Sequence, residues 1–342
     1  MSGSMLITGG AGYIGSHVGC RLVELGYERV VVLDNLSTGF ARSVFFAPLV
    51  VGDVCDQKLV DQLLREHEVD TVLHFAASIV VPESVRDPLK YYANNTCATR
   101  ALLQSCARYG VKYFIFSSTA AVYGVPDRVP MDEESPTVPI SPYGTSKLIS
   151  EWMLRDLCRA VGMRHVILRY FNAAGCDRRV RIGQSTPNTN FIIKSACEAA
   201  LGRRDGFSIF GTDYPTRDGT GVRDYIHIDD LAAAHVSALD YLRAGGVSTV
   251  LNCGYGHGYT VREVLDAVKR VTGARLHIAE GPRRPGDPPS LIADATKIKR
   301  VLGWQPKHDN LDTIVRSAYA WEKALAEADS ASRARIAQGY AS

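Results

Sequence analysis

Residues 5–17 read MLITGGAGYIGSH, a short apolar run followed by four glycines and then by a helical pattern. The glycines satisfy both G-x-G-x-x-G and the related T-G-x-x-G-x-x-G. Glycine allows the tight turn and the close backbone approach that a pyrophosphate needs, and the helix that follows offers unpaired N–H groups at its positive end. The stretch therefore predicts a strand, a phosphate-binding turn and a helix.

The same order of strand and helix recurs through the first half of the chain. Buried parallel strands are predicted at 5–8, 30–33, 71–75, 113–117 and 166–170, with a weaker candidate at 45–51. Helical patterns lie at 14–25, 59–66, 89–109 and 143–161. This alternation predicts an α/β fold with a doubly wound parallel Rossmann sheet.

The second half has a different texture, because after about Asn172 it is rich in Gly, Pro, Asp, Arg and Thr. A helix is expected at 192–201, and Thr260 with Glu263 forms a capping box that opens another. We predict a Rossmann domain over 1–177 and a smaller, mixed C-terminal substrate domain over 178–342. The pattern leaves open whether later segments return to pack on the sheet.

The composition narrows the class of protein. A net charge of +3 on 342 residues gives no reason to expect nucleic acid or a membrane surface as a partner. The eight cysteines include no Cys-x-x-Cys, and His227 with Asp229 fits a helix entry better than a metal site, so no metal is expected. The sequence has no run of 18 apolar residues and no signal-peptide core. We expect a soluble, cytoplasmic protein.

Two carboxylates follow the next predicted strands. Asp34 comes at the distance from the glycines where a carboxylate accepts hydrogen bonds from the adenosine ribose. No Arg or Lys flanks it in LDNLSTG to take a 2′-phosphate, so NAD is favoured over NADP. Asp53, in VGDV after the third strand, is placed to reach the adenine edge.

The motif SPYGTSK at residues 141–147 places Tyr143 and Lys147 four residues apart at the start of a predicted helix. That spacing puts both on one helix face, and the helix follows the strand that ends in FSST, where ligands of such a sheet bind. A lysine ammonium ~5 Å away stabilises a tyrosinate by ~3 kcal/mol at an effective dielectric near 20. Lowering a tyrosine pKa by about three units takes ~4 kcal/mol, and the positive nicotinamide of NAD would add the rest.

Tyr143 and Lys147 are therefore the candidate catalytic pair, and Thr119 is placed to hydrogen-bond the same substrate oxygen. A second copy of the spacing, Tyr319 and Lys323, falls in the last predicted helix. Far from the sheet-forming region, that copy is expected to be a solvated helix face.

Nine segments occur in order along nearly the whole chain: TGGAGYIGSH, LDNLSTG, HFAA, PLKYYANN, FSSTAAVYG, SPYGTSK, RYFNAAG, GTDYPTRDGTGVRDYIHIDDLA and PRRPGDPP. Together they resemble the UDP-glucose (UDP-galactose) 4-epimerases of the extended short-chain dehydrogenase/reductase family. The resemblance implies a redox-neutral inversion at C4 of a UDP-hexose. Tyr143 would take the 4-hydroxyl proton while NAD takes the C4 hydride and later returns it to the other face. It also implies a homodimer joined through helices 89–109 and 143–161.

The resemblance extends the predicted site residue by residue. The cofactor set becomes Gly9, Gly12, Tyr13, Ile14, Gly15, Asp34, Asn35, Asp53, Val54, Phe75, Ala76, Asn94, Tyr143, Lys147 and Tyr170. The set for the UDP-sugar becomes Thr119, Tyr143, Asn172, Asn190, Phe210, Arg223, Arg284 and Asp287. Arginines suit a diphosphate because their planar guanidinium groups meet phosphate oxygens in pairs. Phe210 fits either stacking on uracil or a place in the core.

Three positions depart from the family pattern. Ile79 replaces a lysine of some members, which removes a contact to a cofactor phosphate. Phe191 stands where asparagine or histidine is common, and Asn190 is the proposed substitute. Leu291 lies where pocket size near the sugar C2 substituent is set. Leucine leaves open, as the alternative, a 4-epimerase of a related UDP-sugar (an N-acetylhexosamine, pentose or uronate).

Two other functions compete with epimerisation. A nucleotide-sugar 4,6-dehydratase on this fold typically carries Asp-Glu after the threonine, as acid and base at C5 and C6, whereas Ala120 and Ala121 follow Thr119 here. A cofactor-sensing protein without catalysis would not need Tyr143 and Lys147 intact. Both interpretations are therefore weaker than an epimerase.

Overall fold

The structure, a computed structural model, describes residues 3–186, 191–284 and 287–339. In chain order its strands are β1 (Ser4–Thr8), β2 (Val30–Asp34), β3 (Leu49–Val51), β4 (Val69–His74), β5 (Tyr113–Thr119), β6 (Arg164–Tyr170), β7 (Asn172–Ala174), β8 (Phe207–Phe210), β9 (Val222–Arg223), β10 (Tyr225–His227), β11 (Thr249–Cys253), β12 (Tyr259–Thr260), β13 (Ile278–Gly281) and β14 (Ser290–Leu291). Its helices are α1 (Tyr13–Glu24), α2 (Gln57–Glu66), α3 (Val81–Arg86), α4 (Pro88–Tyr91), α5 (Ala98–Arg108), α6 (Pro142–Val161), α7 (Ile192–Ala200), α8 (Ile228–Arg243), α9 (Val261–Thr272), α10 (Thr296–Leu302) and α11 (Leu311–Gly339).

The main sheet has seven parallel strands in the order β11-β6-β5-β4-β1-β2-β3. The five strands predicted with the clearest apolar runs are all present, with ends within two residues of the prediction. The order reverses at β1, so chain crossovers place helices on both faces. The doubly wound fold is confirmed. The seventh strand, β11, comes from the second half of the chain and pairs with β6.

Side chains from each strand alternate between two cores. Met5 and Ile7 point to the face covered by α1 and α8, whereas Leu6 points to the face covered by α2, α5 and α6. All three are fully buried. Burial of each such side chain contributes ~1.5–3 kcal/mol to the free energy of unfolding. Packing on both faces therefore stabilises the sheet that carries the site.

The weaker strand prediction was too long. The strand β3 begins only at Leu49, because Pro48 has no N–H to donate to the ladder, although its carbonyl accepts from Val32 N at 2.9 Å. The strand ends at Val51 as predicted, and Asp53 lies two residues past it.

The helix predicted at 89–109 is divided into α4, a π-helical stretch (Tyr92–Cys97) and α5. A π turn adds one residue to the helix, and this changes the spacing of the apolar residues too little to be recognised in the sequence. Such turns are frequent at functional sites, and this one carries Asn94 and Asn95.

The second half builds three small pairings beside the main sheet: β10 with β7, β12-β9-β14, and β13 with β8. The predicted capping box is confirmed, since Thr260 and Glu263 exchange hydrogen bonds at the start of α9. In the described ranges, no helix is long and apolar enough to cross a lipid bilayer.

Candidate active site

The glycine turn between β1 and α1 leaves no room for side chains. Gly9 has a φ of +72°, and a Cβ on it would lie 2.4 Å from Ala76 N. A Cβ on Gly15 would lie 2.4 Å from the Gly9 carbonyl oxygen. Gly12 is the N-cap of α1, no side chain caps it, and the first turn carries no acidic residue. The residues therefore fit a dinucleotide, whose pyrophosphate would meet the amides of this turn, where Tyr13 and Ile14 begin the helix.

Asp34, at the end of β2, ties this turn to the next loop. Its carboxylate oxygens accept from Ala11 N at 2.9 Å and Leu36 N at 2.8 Å. The side chain is mostly buried, and its two hydrogen bonds fix the conformation of the turn. Sequence reasoning had assigned it the ribose contact alone.

Asp53 and Asn35 form a second polar pair beside it. The Asn35 amide donates to Asp53 Oδ2 at 2.8 Å, and Cys55 N donates to Oδ1 at 2.8 Å. Burial acts to raise the pKa of the Asp53 carboxyl, but these hydrogen bonds outweigh it and the net pKa is lowered. A charged acceptor next to buried Val54 suits the edge of an adenine.

The predicted contacts after β4 lie directly against the glycine turn. The main-chain amides of Phe75 and Ala76 donate to the Thr8 carbonyl at 2.8 and 3.1 Å. The Tyr13 hydroxyl donates to the Gly175 carbonyl at 2.8 Å, so this side chain links the cofactor turn to the second half.

The π-helical stretch braces the loop after β4. Asn94 donates to Ser78 Oγ at 2.9 Å. Its neighbour Asn95 is almost fully buried, accepts from Ser78 N at 2.8 Å, and donates to Ser146 Oγ at 3.0 Å. Sequence reasoning chose Asn94 and missed Asn95, which joins this loop to the catalytic helix. The repeated asparagine was the only signal available.

The helix α6 presents the candidate catalytic pair. Ser141 caps it by accepting from Gly144 N at 3.2 Å, and Pro142 occupies the first turn. Tyr143 is hydrogen-bonded to Thr119 at the end of β5. Lys147 is 3% exposed, and its Nζ donates to the Ser117 carbonyl at 2.9 Å. The structure thus brings all three predicted residues together at the carboxyl end of β5.

Burial sets the protonation of this pair. It raises the pKa of Tyr143, which the hydrogen bond to Thr119 opposes. It lowers the pKa of the Lys147 ammonium to about 7, against the opposing influence of Glu151. The spacing of the pair predicted that Lys147, together with NAD, would lower the tyrosine pKa; in the structure, desolvation of the phenol outweighs the hydrogen bond to Thr119, and the net change is upward. The positive charge of an oxidised nicotinamide would act in the lowering direction.

Tyr170, the last residue of β6, lies next to this pair. Its hydroxyl is hydrogen-bonded to Ser117 Oγ, and burial raises its pKa. Since Lys147 donates to the carbonyl of the same Ser117, Tyr170 and the catalytic helix share one anchor. The sequence did not single out Ser117.

Four of the predicted UDP-sugar residues form one cluster in the second half. Arg223 and Asp287 make an ion pair that is mostly buried on the arginine side. The Arg284 guanidinium lies 4.1 Å from the centre of the half-exposed Phe210 ring. Burial lowers the pKa of Arg284 while Asp287 opposes this. Phe210 therefore lies at an accessible cationic surface instead of in the core.

Asn172 and Leu291 connect this cluster to the catalytic pair. Asn172 follows β6 by two residues, and its N–H donates to the Asp224 carbonyl at 3.0 Å. Leu291 pairs with Arg223 and packs against the apolar cluster that includes Ala120 and Leu148. A residue that limits the size of the bound sugar would have to lie, as Leu291 does, between the nucleotide cluster and the catalytic pair.

The other positions named from the sequence add little to the geometry of the site. Asn190 lies outside the described residues. Phe191 is the N-cap residue of α7, and Ile79 is exposed. His227 caps α8 with its own ring, since Nδ1 accepts from Asp229 N at 3.1 Å, so the predicted helix entry is present and its cap is the imidazole. Among the residues described, no group of three or more His, Cys, Asp or Glu side chains is arranged to hold a metal.

Sequence reasoning also missed a buried ion pair beneath the catalytic pair. Glu151 and Arg169 are almost completely buried, and Arg169 donates to both carboxylate oxygens at 3.0 and 2.6 Å. The available signal was local, because Glu151 follows Lys147 by four residues and therefore lies on the same helix face.

Comparison with known proteins agrees with this geometry. The chain matches the family model described as GDP-mannose 4,6 dehydratase over residues 6–317. It is 56% identical to the UDP-glucose 4-epimerase of Azospirillum brasilense, over 94% of this chain and 92% of that protein. The crystal structure of UDP-glucose 4-epimerase from Brucella ovis in complex with NAD has a TM-score of 0.90 at 44% identity, covering 93% of this chain and 98% of that one.

A second solved structure is UDP-glucose-4-epimerase from Stenotrophomonas maltophila with bound NAD and formylated UDP-arabinopyranose. It has a TM-score of 0.91 at 39% identity, covering 95% of this chain and 99% of that one. The matched region covers both halves of the chain. This chain belongs to the UDP-glucose 4-epimerase family, within the extended short-chain dehydrogenases/reductases.

Proposed function

We propose that this protein interconverts UDP-galactose and UDP-glucose by inverting the configuration at C4, with NAD as its cofactor. The observation that carries the proposal is the meeting of Tyr143, Lys147 and Thr119 at the carboxyl end of β5, on the sheet edge that also carries the glycine turn. Ligands of doubly wound sheets bind outside this edge.

The proton chemistry is assigned to Tyr143. Its hydroxyl, hydrogen-bonded to Thr119, is placed to take the proton of the sugar 4-hydroxyl and to return it after inversion. Lys147, held against the Ser117 carbonyl, supplies positive charge that favours the tyrosinate. Held by the glycine turn and Asp34, NAD would supply reversible hydride transfer at C4 of the sugar, so the reaction would involve no net oxidation.

The nucleotide half of the substrate is assigned to the cluster in the second half. Arg284 lies in one cluster with Arg223, which is buried and paired with Asp287, and two guanidinium groups suit the two charges of a diphosphate. Phe210 is accessible for stacking on a base, and Asp287 can accept from ribose hydroxyls.

The residues after Thr119 favour epimerisation over dehydration. Ala120 and Ala121 form a short 3-10 turn, and Ala121 N donates to Thr119 Oγ1 at 3.1 Å. Two methyl side chains provide neither acid nor base at C5 and C6 of the sugar. A 4-keto-6-deoxy product is therefore not expected.

The test is to incubate the purified protein with UDP-galactose and follow the sugar proton signals by NMR, with and without added NAD. We expect conversion to UDP-glucose that stops at a mixture of both sugars, without a 4-keto-6-deoxy signal. Failure of conversion even with NAD would rule out the proposed activity. UDP-N-acetylgalactosamine and UDP-arabinose in parallel tubes measure how far Leu291 allows other sugars.

We further propose that the protein is a homodimer whose interface includes an exposed apolar surface on α3, α4 and α6. Val81, Val85, Leu89 and Trp152 are all exposed there, and the three helices contact one another. Light scattering should give twice the mass of one chain at micromolar concentration. Leu89→Glu should give a monomer, whereas Val247→Glu, at an exposed valine elsewhere, should not. A wild-type monomer would contradict the proposal.

A cytoplasmic location is likewise a proposal. All eight cysteines are free thiols, six of them buried, which suits a reducing compartment. Cell fractionation with an activity assay would test it.

A further inference from the structure

We infer that Glu151 is a positioning residue for the reaction, which acts by holding three catalytic elements in register through a buried network. The inference rests on the proposed function. The hydrogen bonds of its carboxylate go to Ser118 and Arg169, which are not among the predicted cofactor or substrate contacts. Its importance lies in which neighbours its carboxylate joins.

The first tie runs from α6 to β5. Ser118 Oγ donates to Glu151 Oε1, and Ser118 is the residue immediately before Thr119. Glu151 lies two turns along α6 from Tyr143 and one turn from Lys147. The carboxylate therefore fixes the distance between the strand end that carries Thr119 and the helix that carries the base.

The second tie runs from α6 to β6. Arg169 donates to both oxygens of Glu151, from Nε at 3.0 Å and from Nη2 at 2.6 Å. Arg169 immediately precedes Tyr170, the residue that shares Ser117 with Lys147. A bidentate guanidinium–carboxylate pair fixes orientation as well as distance.

The third tie closes the network around Thr119. Arg169 Nη1 donates to the Tyr123 hydroxyl at 3.0 Å, and this hydroxyl donates to Asn252 Oδ1 on β11 at 2.7 Å. Tyr123 ends the short turn that begins after Thr119. The segment that carries Thr119 is thus held on one side through Ser118 and on the other through Tyr123.

Stability alone does not explain why these charges are buried. Replacing a buried ion pair by apolar side chains of similar volume is often neutral or stabilising. The reaction rate depends more strongly on the positions of the reacting groups, because a displacement of about 1 Å can lower it by ~10²-fold. A network that reaches Thr119, Tyr143 and Tyr170 together is placed to prevent such a displacement.

The test compares two double variants with a matched control. Glu151→Leu with Arg169→Met removes both charges of the buried pair together, so neither remains without the other. We expect kcat for UDP-galactose to fall by about 10- to 100-fold, while KM changes by no more than about threefold, because the arginine cluster that binds the nucleotide is untouched. Glu151→Gln with Arg169→Gln provides hydrogen bonds without charge. Its log kcat should lie at least halfway from that of the Leu/Met double variant to that of the wild type.

The control is another buried ion pair that joins distant segments, Lys194 and Glu322. Lys194→Met with Glu322→Leu removes a similarly buried pair and should leave kcat within about twofold. Wild-type kcat in the double variant that lacks the network, failure of the glutamine pair to recover activity, or an equal loss in the control would each overturn the inference. An inactive wild-type protein would instead overturn the proposed function, so the two failures are distinguishable.

Discussion

Two helices of this protein carry the same spacing of tyrosine, lysine and glutamate and use it differently. The inner triplet on α6 is Tyr143, Lys147 and Glu151; the outer triplet on α11 is Tyr319, Lys323 and Glu327. Lys147 and Glu151 are buried, whereas the side chains of Lys323 and Glu327 are 64% and 69% exposed. Tyr319 and Lys323 were predicted to lie on a solvated helix face. This is confirmed for Lys323 and wrong for Tyr319, which packs against the main core.

The neighbours of each helix account for the difference. The helix α6 lies against the ends of β5 and β6, so Lys147 meets a carbonyl and Glu151 meets a serine and an arginine. The helix α11 packs on α7 and α9 by another face, and Lys323 pairs with Glu327 at 4.0 Å and with no other acidic side chain among the described residues. Identical local spacing therefore gives buried, hydrogen-bonded side chains only where a distant strand end meets the helix.

The largest expected difference between the triplets is in catalysis. Tyr143→Phe removes the group that moves the proton and should lower kcat by ~10²–10⁴-fold, whereas Tyr319→Phe should leave kcat within about twofold. Steady-state rates with UDP-galactose measure both. Substantial activity in Tyr143→Phe would remove the distinction between the two copies.

The next difference is in stability. Glu151→Gln leaves the buried Arg169 without its partner charge and should cost ~3–5 kcal/mol of the free energy of unfolding. Glu327→Gln removes an exposed pair on one helix and should cost less than ~0.5 kcal/mol. Denaturant unfolding of both variants provides the measurement, and equal losses would show that the inner pair is solvated in solution.

The two lysines should also differ in how stability depends on pH. Lys147 has a pKa lowered to about 7 by burial, from an ordinary value of 10.5. Between these pH values the unfolded chain binds the proton that the folded protein has released, so stability rises with pH. The wild-type free energy of unfolding, relative to Lys147→Met, should therefore increase by ~1.4 kcal/mol per pH unit above pH 7.

Lys323→Met is the matched control for this prediction. Its difference from wild type should stay constant across the same pH range. A constant difference for Lys147→Met as well would mean that Lys147 keeps its proton in the folded protein.

The smallest contrast concerns the starts of the two helices. Ser141 caps α6, and Asn310 Oδ1 accepts from Thr313 N at 2.9 Å at the start of α11. Alanine at either position should cost ~1 kcal/mol of stability. Only Ser141→Ala should also lower kcat, because Tyr143 lies in the first turn of its helix. Loss of activity in Asn310→Ala would show that α11 also affects the catalytic site.

Much of the first half could be predicted from the residues. The glycine turn, the runs such as 30–33 and the proline before Tyr143 all act locally, so the strands and the catalytic helix follow from short stretches. The π-helical stretch and Asn95 could not be predicted, because one added residue hardly changes the apolar period. The strand β11 escaped prediction because its place beside β6 depends on a pairing distant in the chain.

The candidate site divides in the same way. Thr119, Tyr143 and Lys147 were predicted from motif and helix spacing, and the structure brings them together. The effect of burial on their pKa values was not predicted, because the spacing of the residues does not show how completely the folded chain removes water from Tyr143 and Lys147. The role of Phe210 was also open until Arg284 was found over its ring.

Local sequence is sufficient to specify the dinucleotide turn, the alternating strands and the spacing of two Tyr–Lys–Glu triplets, since each depends on neighbours within a few residues. Which triplet meets the catalytic edge and which stays solvated follows from the packing of the whole chain. The physical reason is that burial and charge are set by segments that pack from far along the chain: Ser118 and Arg169 reach Glu151, and nothing comparable in the described residues reaches Glu327.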